Sequence, residues 1–226
     1  MGKEIVKNDG GIDKRCHVHN SSCKRKLQPI YRSCKSLVLA SASPRRQGYL
    51  LDLGLEYRVH VADIDETPFP EEKPHAFVRR MAVEKARPIM DLYPDAWIVA
   101  ADTVVSLADV ILGKPKDSVD AVSMLMQLSG MEHWVQTGIC LACRQEGVVA
   151  VQSVSTRVVF SSFPEKVAQA YVATGEPLDK AGSYGVQGKG AFLVKELEGS
   201  YSNVVGLPLC ELLLMLEDHG VIAVAV

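Results

Sequence analysis

The stretch Leu37–Gly54, LVLASASPRRQGYLLDLG, decides the fold class. Its apolar run, Leu37 to Ala40, is too short for a buried helix and reads as a buried strand. Ser43 suits an N-cap, Pro44 suits the first helical position where no donor is lost, and Gly54 suits a stop, so a helix is predicted over Pro44–Leu53. Strand, tight turn and helix in that order open an α/β protein. Arg45 and Arg46 are then out of place, because cations near a helix N-terminus are disfavoured by up to ~1 kcal/mol. An anion held by the free N–H groups reverses that sign. The pair is either a solvated surface pair or, with the hydroxyls of Ser41 and Ser43, one wall of a polyphosphate cradle.

Working outward, Tyr57–Ala62 reads as a second strand, and the acidic loop DIDETPFPEEKP leads into an amphipathic helix from about His75 to Met90. An apolar strand, Trp97–Ala101, is expected to stop at Asp102, and a hairpin follows that turns at Ala108 and Asp109. A helix capped by Asp117 or Ser118 stops at Gly130. Two long strands, His133–Arg144 and Val148–Ser161, share a short polar turn. A helix through Tyr171, a glycine-rich stretch, a strand near Phe192–Leu197 and a helix over Pro208–Asp218 close the chain. Strands alternate with helices at first and then pair as hairpins, which predicts an α/β fold with a mixed sheet.

At 226 residues and 47% hydrophobic, the chain is long enough for one domain with a substantial core. No apolar run approaches the ~20 residues of a membrane span. The net charge of −2 hides an asymmetry: residues 1–36 hold nine Lys/Arg against Glu4, Asp9 and Asp13, or +6, which leaves −8 for the rest. Residues 1–36 are therefore expected to be a basic, disordered extension, whether leader, targeting segment or upstream mistranslation, and residues 37–226 the folded domain. The extension lacks the apolar region of a secretory signal. Its Cys16, Cys23 and Cys34, near His17 and His19, fit no zinc-ligand spacing well. Cys140 and Cys143 form C-x-x-C within a strand, where positions three apart face opposite sides, so both are expected to be packed thiols in a reducing, intracellular protein.

Several residues carry candidate chemistry. Asp63, Asp65 and Glu66 stand together past a strand, and Asp102 follows one, the place where open α/β sheets bind ligands. Such carboxylates either cap loops and strand ends or hold Mg²⁺ beside substrate phosphates. Lys85 and Lys114 could neutralise phosphate charge. Gln187, between Gly185 and Gly188, could read a base edge. His133 alternates with Val135 and is expected to be structural.

Taken in order, LASASPRR (39–46), DIDE (63–66), EKA (84–86), AADTVV (100–105), ILGKP (111–115), GEPLDKAGSYGVQGKGA (175–191) and GSYSNVVGLPL (199–209) resemble the Maf family of nucleoside triphosphate pyrophosphatases over residues 37 to about 220. The resemblance implies two lobes around a cleft, related to the inosine triphosphate pyrophosphatases, and commonly a homodimer. It implies hydrolysis between the α- and β-phosphates with a divalent cation, Mg²⁺ or Mn²⁺, held by Asp65, Glu66 and Asp102. Asp102 would be the catalytic proton acceptor, and Ser41, Ser43, Arg45, Arg46, Lys85 and Lys114 would bind phosphate. Arg45, Thr103 and Gln187 match positions associated with nucleotide choice, and A-D-T with G-V-Q-G resembles the branch acting on dTTP and UTP. The alternatives are 7-methyl-GTP or an ITP-like purine as substrate, or a nucleotide- or nucleic-acid-binding regulator of cell division. The acidic set beside the basic set favours catalysis over pure anion binding, and the resemblance implies a house-cleaning role on the nucleotide pool, expected in the cytoplasm and without nucleic-acid or membrane partners.

Overall fold

The computed structural model describes residues 28–225. Cys16 and Cys23, with the two tail histidines, lie outside the described residues. A mixed sheet carries the fold, in the order β3(Arg58–Val59), β2(Leu37–Leu39), β4(Trp97–Leu107), β6(Glu132–Cys143), β7(Val148–Phe160), β8(Val194–Glu198), with β5(Val110–Leu112) also on β4. The β3–β2–β4 pairs are parallel and the rest antiparallel. The helices are α1(Pro44–Asp52), α2(Pro74–Leu92), α3(Ser118–Leu128), α4(Glu165–Val172), α5(Tyr201–Val205) and α6(Leu209–Asp218).

Alternation along β4 sorts the core. Val38, Ile98, Ala100, Cys140 and Ala142 face α2, packing on its Ala82, Ala86 and Ile89. Leu39, Trp97, Val99, Ala101, Ile139 and Cys143 face the other way, onto Leu212 and Met215 of α6. Further along that second face, Val105, Val135 and Phe160 pack on Ala121 and Leu125 of α3 and Ala168 of α4. One face of the sheet thus carries α2, and the other carries two separate packs, one with α6 and one with α3 and α4. Cys140 and Cys143 are buried on opposite faces, in accord with their spacing. Gly138 lets α2 lie directly on β6, since a Cβ there would stand 2.1 Å from the Val78 carbonyl oxygen.

The structure departs from the sequence expectations in four places. β4 does not end at Asp102 but runs on to Leu107, because Thr103, Val104 and Val105 are β-branched strand formers and β6 pairs with them throughout. Strand β3 keeps only two residues of Tyr57–Ala62. The folded part begins before residue 37: β1(Tyr31–Ser33) pairs antiparallel with β9(Ile222–Val224), so the expected extension is ordered where it meets the chain's other end. The stretch EGSYSN (198–203), which reads as a turn, runs instead into the short helix α5, Tyr201–Val205, capped by Ser200 whose hydroxyl accepts from the Asn203 N–H.

Candidate active site

Strand β2 leaves the edge of β4 at Val99, and β5 joins that edge only at Val105. Between them Asp102 and Thr103 lie on an edge that neither β2 nor β5 covers, and a cleft of about 780 Å³ opens there. The loop after β2 brings Ser41, Ser43 and the start of α1 to one wall, α2 brings Lys85, and the glycine-rich stretch brings Gln187 to the opposite wall. Of the residues expected to form the site, Ser41, Ser43, Arg45, Arg46, Glu66, Lys85, Asp102, Thr103, Lys114 and Gln187 all line this cleft.

Asp102 and Thr103 are neighbours on a strand and so face opposite sides of the sheet. Asp102 points toward α2, where the Lys85 ammonium donates to its Oδ1 at 2.6 Å and stands 2.9 Å from Glu66 Oε1. Lys85 and Asp102 are nearly buried, their side chains 13% and 11% exposed, whereas Glu66 is half exposed at 51%. Two carboxylates therefore converge on one cation. Asp65 does not join them: its exposed carboxylate turns back to accept from the Thr67 N–H at 2.9 Å, and hydrogen bonding from the Thr67 side chain and then its N–H holds its pKa below the usual carboxylate range. Of the three carboxylates expected to hold a metal, the structure brings Glu66 and Asp102 together and sets Asp65 apart from them. Among the described residues no cluster of three or more His, Cys, Asp or Glu is arranged to hold a metal ion.

Thr103 faces the other side, where it meets Arg46. That guanidinium donates from Nε to the Gly206 carbonyl at 2.7 Å, from Nη1 to Ala101 O at 2.8 Å and Ser41 Oγ at 3.0 Å, and from Nη2 to Thr103 Oγ1 at 3.0 Å. Arg46 thus ties the end of β2, the middle of β4 and the end of α5 together through neutral acceptors. Burial lowers its pKa, with Asp102 pulling the other way, yet an arginine stays charged. Four of its five N–H donors serve the protein, which leaves one, and an unneutralised charge, for the cleft. Thr103 Oγ1 also lies 2.9 Å from Thr137 Oγ1, so its hydroxyl links Arg46 to β6 at the cleft wall.

The start of α1 differs from expectation in one atom. Ser43 occupies the N-cap position, but its hydroxyl makes no capping bond; instead Ser41 Oγ accepts from the Ser43 N–H at 3.3 Å. The first turn of α1 therefore presents uncapped N–H groups and the Ser43 hydroxyl, which is what an anion site at a helix terminus requires. Arg45 is half-buried and reaches across the cleft toward Asp179, 3.8 Å away. Lys114 is exposed at the rim.

Sequence reasoning missed Asp179 and Lys180, which also line the cleft. The Lys180 ammonium donates to Asp179 Oδ1 and to the Glu176 carbonyl, both at 2.6 Å. The charged pair inside an otherwise glycine-rich run was the available signal. His133 is buried as expected, bonded through Nε2 to Tyr184 Oη at 2.9 Å, and burial pushes its pKa down to about 4.

A strand-edge cleft with a basic wall built on a helix terminus and a carboxylate pair has the chemistry that suits phosphorylated ligands. The Maf-like protein family model matches residues 36–219, and the chain belongs to that family. The dTTP/UTP pyrophosphatase of Desulfotalea psychrophila is 56% identical over 195 residues, covering 86% of this chain and all of that protein. That of Myxococcus xanthus is 50% identical over 184 residues, 81% of this chain and 92% of its own. Among solved structures, the Ham1 protein of Staphylococcus aureus matches 71% of this chain and 80% of its own with a TM-score of 0.44 and 14% identity.

Proposed function

We propose that the chain hydrolyses dTTP and UTP between the α- and β-phosphates, releasing the nucleoside monophosphate and pyrophosphate, a house-cleaning activity on the nucleotide pool. The observation that carries the reading is the facing arrangement of Arg46 with the uncapped α1 terminus on one wall and Lys85 with Asp102 and Glu66 on the other. The substrates follow from the similarity to the dTTP/UTP pyrophosphatases of Desulfotalea psychrophila and Myxococcus xanthus.

In this reading the α1 N–H groups, Ser43, Arg45 and the spare Arg46 donor take the β- and γ-phosphates and neutralise charge as it develops on the leaving pyrophosphate. Lys114 adds charge at the rim. Lys85 holds Asp102 Oδ1, so Oδ2 is the atom left to accept a proton from, or to orient, the attacking water. Gln187 meets the base from the opposite wall. Glu66 and Asp102 fit a hard divalent cation, because their oxygens already converge on a single cationic atom, and such ions take their remaining ligands from phosphate and water. Mg²⁺ or Mn²⁺ there would supply charge neutralisation of the phosphates. The reading takes the protein as a cytoplasmic homodimer; no helix among the described residues is long and apolar enough to cross a membrane.

The test is a panel of dTTP, UTP, dCTP, ITP and 7-methyl-GTP with product separation. Thymidine and uridine monophosphates with pyrophosphate are expected, at the highest kcat/KM for dTTP and UTP. Nucleoside diphosphate with orthophosphate, or wild-type turnover that Asp102→Asn leaves untouched, refutes the reading.

A further inference from the structure

We propose that Glu176 and Tyr171, neither of which lines the cleft, are positioning residues for recognition of the base, acting through the loop that carries Gln187. The inference rests on the reading above that this cleft takes a pyrimidine nucleoside triphosphate.

The loop in question runs from Gly185 to Gly190. At its start, the Gly185 N–H donates to Tyr171 Oη at 3.1 Å. At its end, the Lys189 N–H donates to Glu176 Oε2 at 3.0 Å and the Gly190 N–H to Glu176 Oε1 at 3.1 Å. Tyr171 Oη in turn donates to Glu176 Oε1 at 2.9 Å. Both ends of the loop are thus stapled to one pair of side chains, and only Val186, Gln187 and Gly188 span the gap, with Gln187 exposed at the cleft. The staple leaves no room for slack. A Cβ on Gly190 would stand 2.4 Å from Tyr171 Oη, and Gly188 adopts φ +103°, beside the same carboxylate.

The chemistry of the staple argues for a positioning task rather than plain packing. Burial works against the Glu176 charge, yet the bonds from Lys189, Tyr171 and Gly190 and the nearby Lys180 hold its pKa below the ordinary range. A carboxylate accepting from two successive backbone N–H groups fixes the peptide plane between them, which an apolar contact cannot do. The same residue's carbonyl receives Lys180, which holds Asp179, the residue that faces Arg45. That contact uses the Glu176 backbone carbonyl, which Glu176→Gln leaves in place, so the substitution bears on the Gln187 loop and not on Arg45. A misplacement of about 1 Å in such a group costs up to ~100-fold.

The experiment compares Glu176→Gln, Tyr171→Phe, Gln187→Ala and the double variant E176Q/Q187A. It measures kcat and KM for dTTP, UTP and dCTP and the inhibition constant of inorganic pyrophosphate, and it checks folding by circular dichroism. Glu176→Gln is expected to raise KM for dTTP about tenfold and flatten the preference among bases, with kcat and pyrophosphate inhibition within about twofold of wild type. Tyr171→Phe, which loses one hydroxyl and keeps the ring, moves KM the same way by less and serves if Glu176→Gln does not fold. The double variant is expected to be no worse than Gln187→Ala, because both act through one contact. Additive effects, a fall in kcat at constant KM, or parallel weakening of pyrophosphate and dTTP overturns the proposal. A wild type that hydrolyses no nucleotide overturns instead the function on which it rests.

Discussion

Lys85→Met removes the cation that, among the described residues, touches both carboxylates of the site, and the structure sets the size of the effect. Removing one partner of a buried ion pair costs about 3–5 kcal/mol, because the remaining charge stays desolvated. Asp102 is only 11% exposed and would keep that penalty, but it retains the field of Arg46, and Glu66 is half in water. The expected loss is thus at the low end, about 3 kcal/mol. At ~2–4 °C per kcal/mol for a chain of this size, Tm falls by about 6–12 °C. Asp102→Asn leaves Lys85 its contact with Glu66 and is expected to cost only about 1 kcal/mol. The double variant K85M/D102N then lies above Lys85→Met by about 1–2 kcal/mol, since the stranded carboxylate is gone. Thermal unfolding followed by circular dichroism, in buffer free of divalent cations, reads all three. Equal losses in the two single variants, or a double variant at their sum, refutes the picture of one ammonium holding two converging carboxylates.

Three further outcomes follow from other parts of the molecule. Gly138→Ala drives a methyl into the Val78 carbonyl and is expected to cost about 3 kcal/mol, seen as a lowered urea midpoint; an unchanged midpoint shows that α2 does not rest on β6. His133, pushed from 6.5 to about 4 by burial, binds its proton in the unfolded chain before the folded one. Stability therefore falls as pH drops from about 6.5 to about 4, by about 3 kcal/mol in full, and His133→Gln should show a shallower slope of unfolding free energy over that window. Arg80 bonds Glu72 at 2.8 and 2.6 Å and the Thr67 carbonyl at 3.1 Å, and stacks 3.8 Å over Phe69, which pins the loop bearing Glu66 to α2. Arg80→Ala is expected to speed limited proteolysis within residues 64–72 several-fold; an unchanged cleavage rate means the loop is held elsewhere.

Much of the architecture was legible because it is locally encoded. Asp117 caps α3 by accepting from the Val119 and Asp120 N–H groups, as its residue type and position suggested, and the long hairpin of β6 and β7 follows from β-branched runs around a polar turn. The short helix α5 was not legible, since five residues carry too little periodicity. The pairing of β1 with β9 was equally hidden, because it joins the two ends of the folded chain.

The site divides along the same line. Sequence alone named much of the cleft lining: the Ser-Pro-Arg-Arg helix start, Lys85, Asp102 and Gln187 all reach it, because residue type and motif order are properties of the chain, whereas Asp179 and Lys180 were not named. Only the tertiary structure decided what each does there. The strand's twofold alternation sends Asp102 to Lys85 and its neighbour Thr103 to Arg46, on opposite faces of one sheet. A two-residue turn-back takes Asp65 out of the carboxylate set. Glu176, well before Gln187 in the chain, comes to hold the loop that presents it. Such roles depend on which hydrogen-bond partner lies within about 3 Å, a distance that the packing of α2, α4 and α5 on the sheet sets and that no local pattern contains.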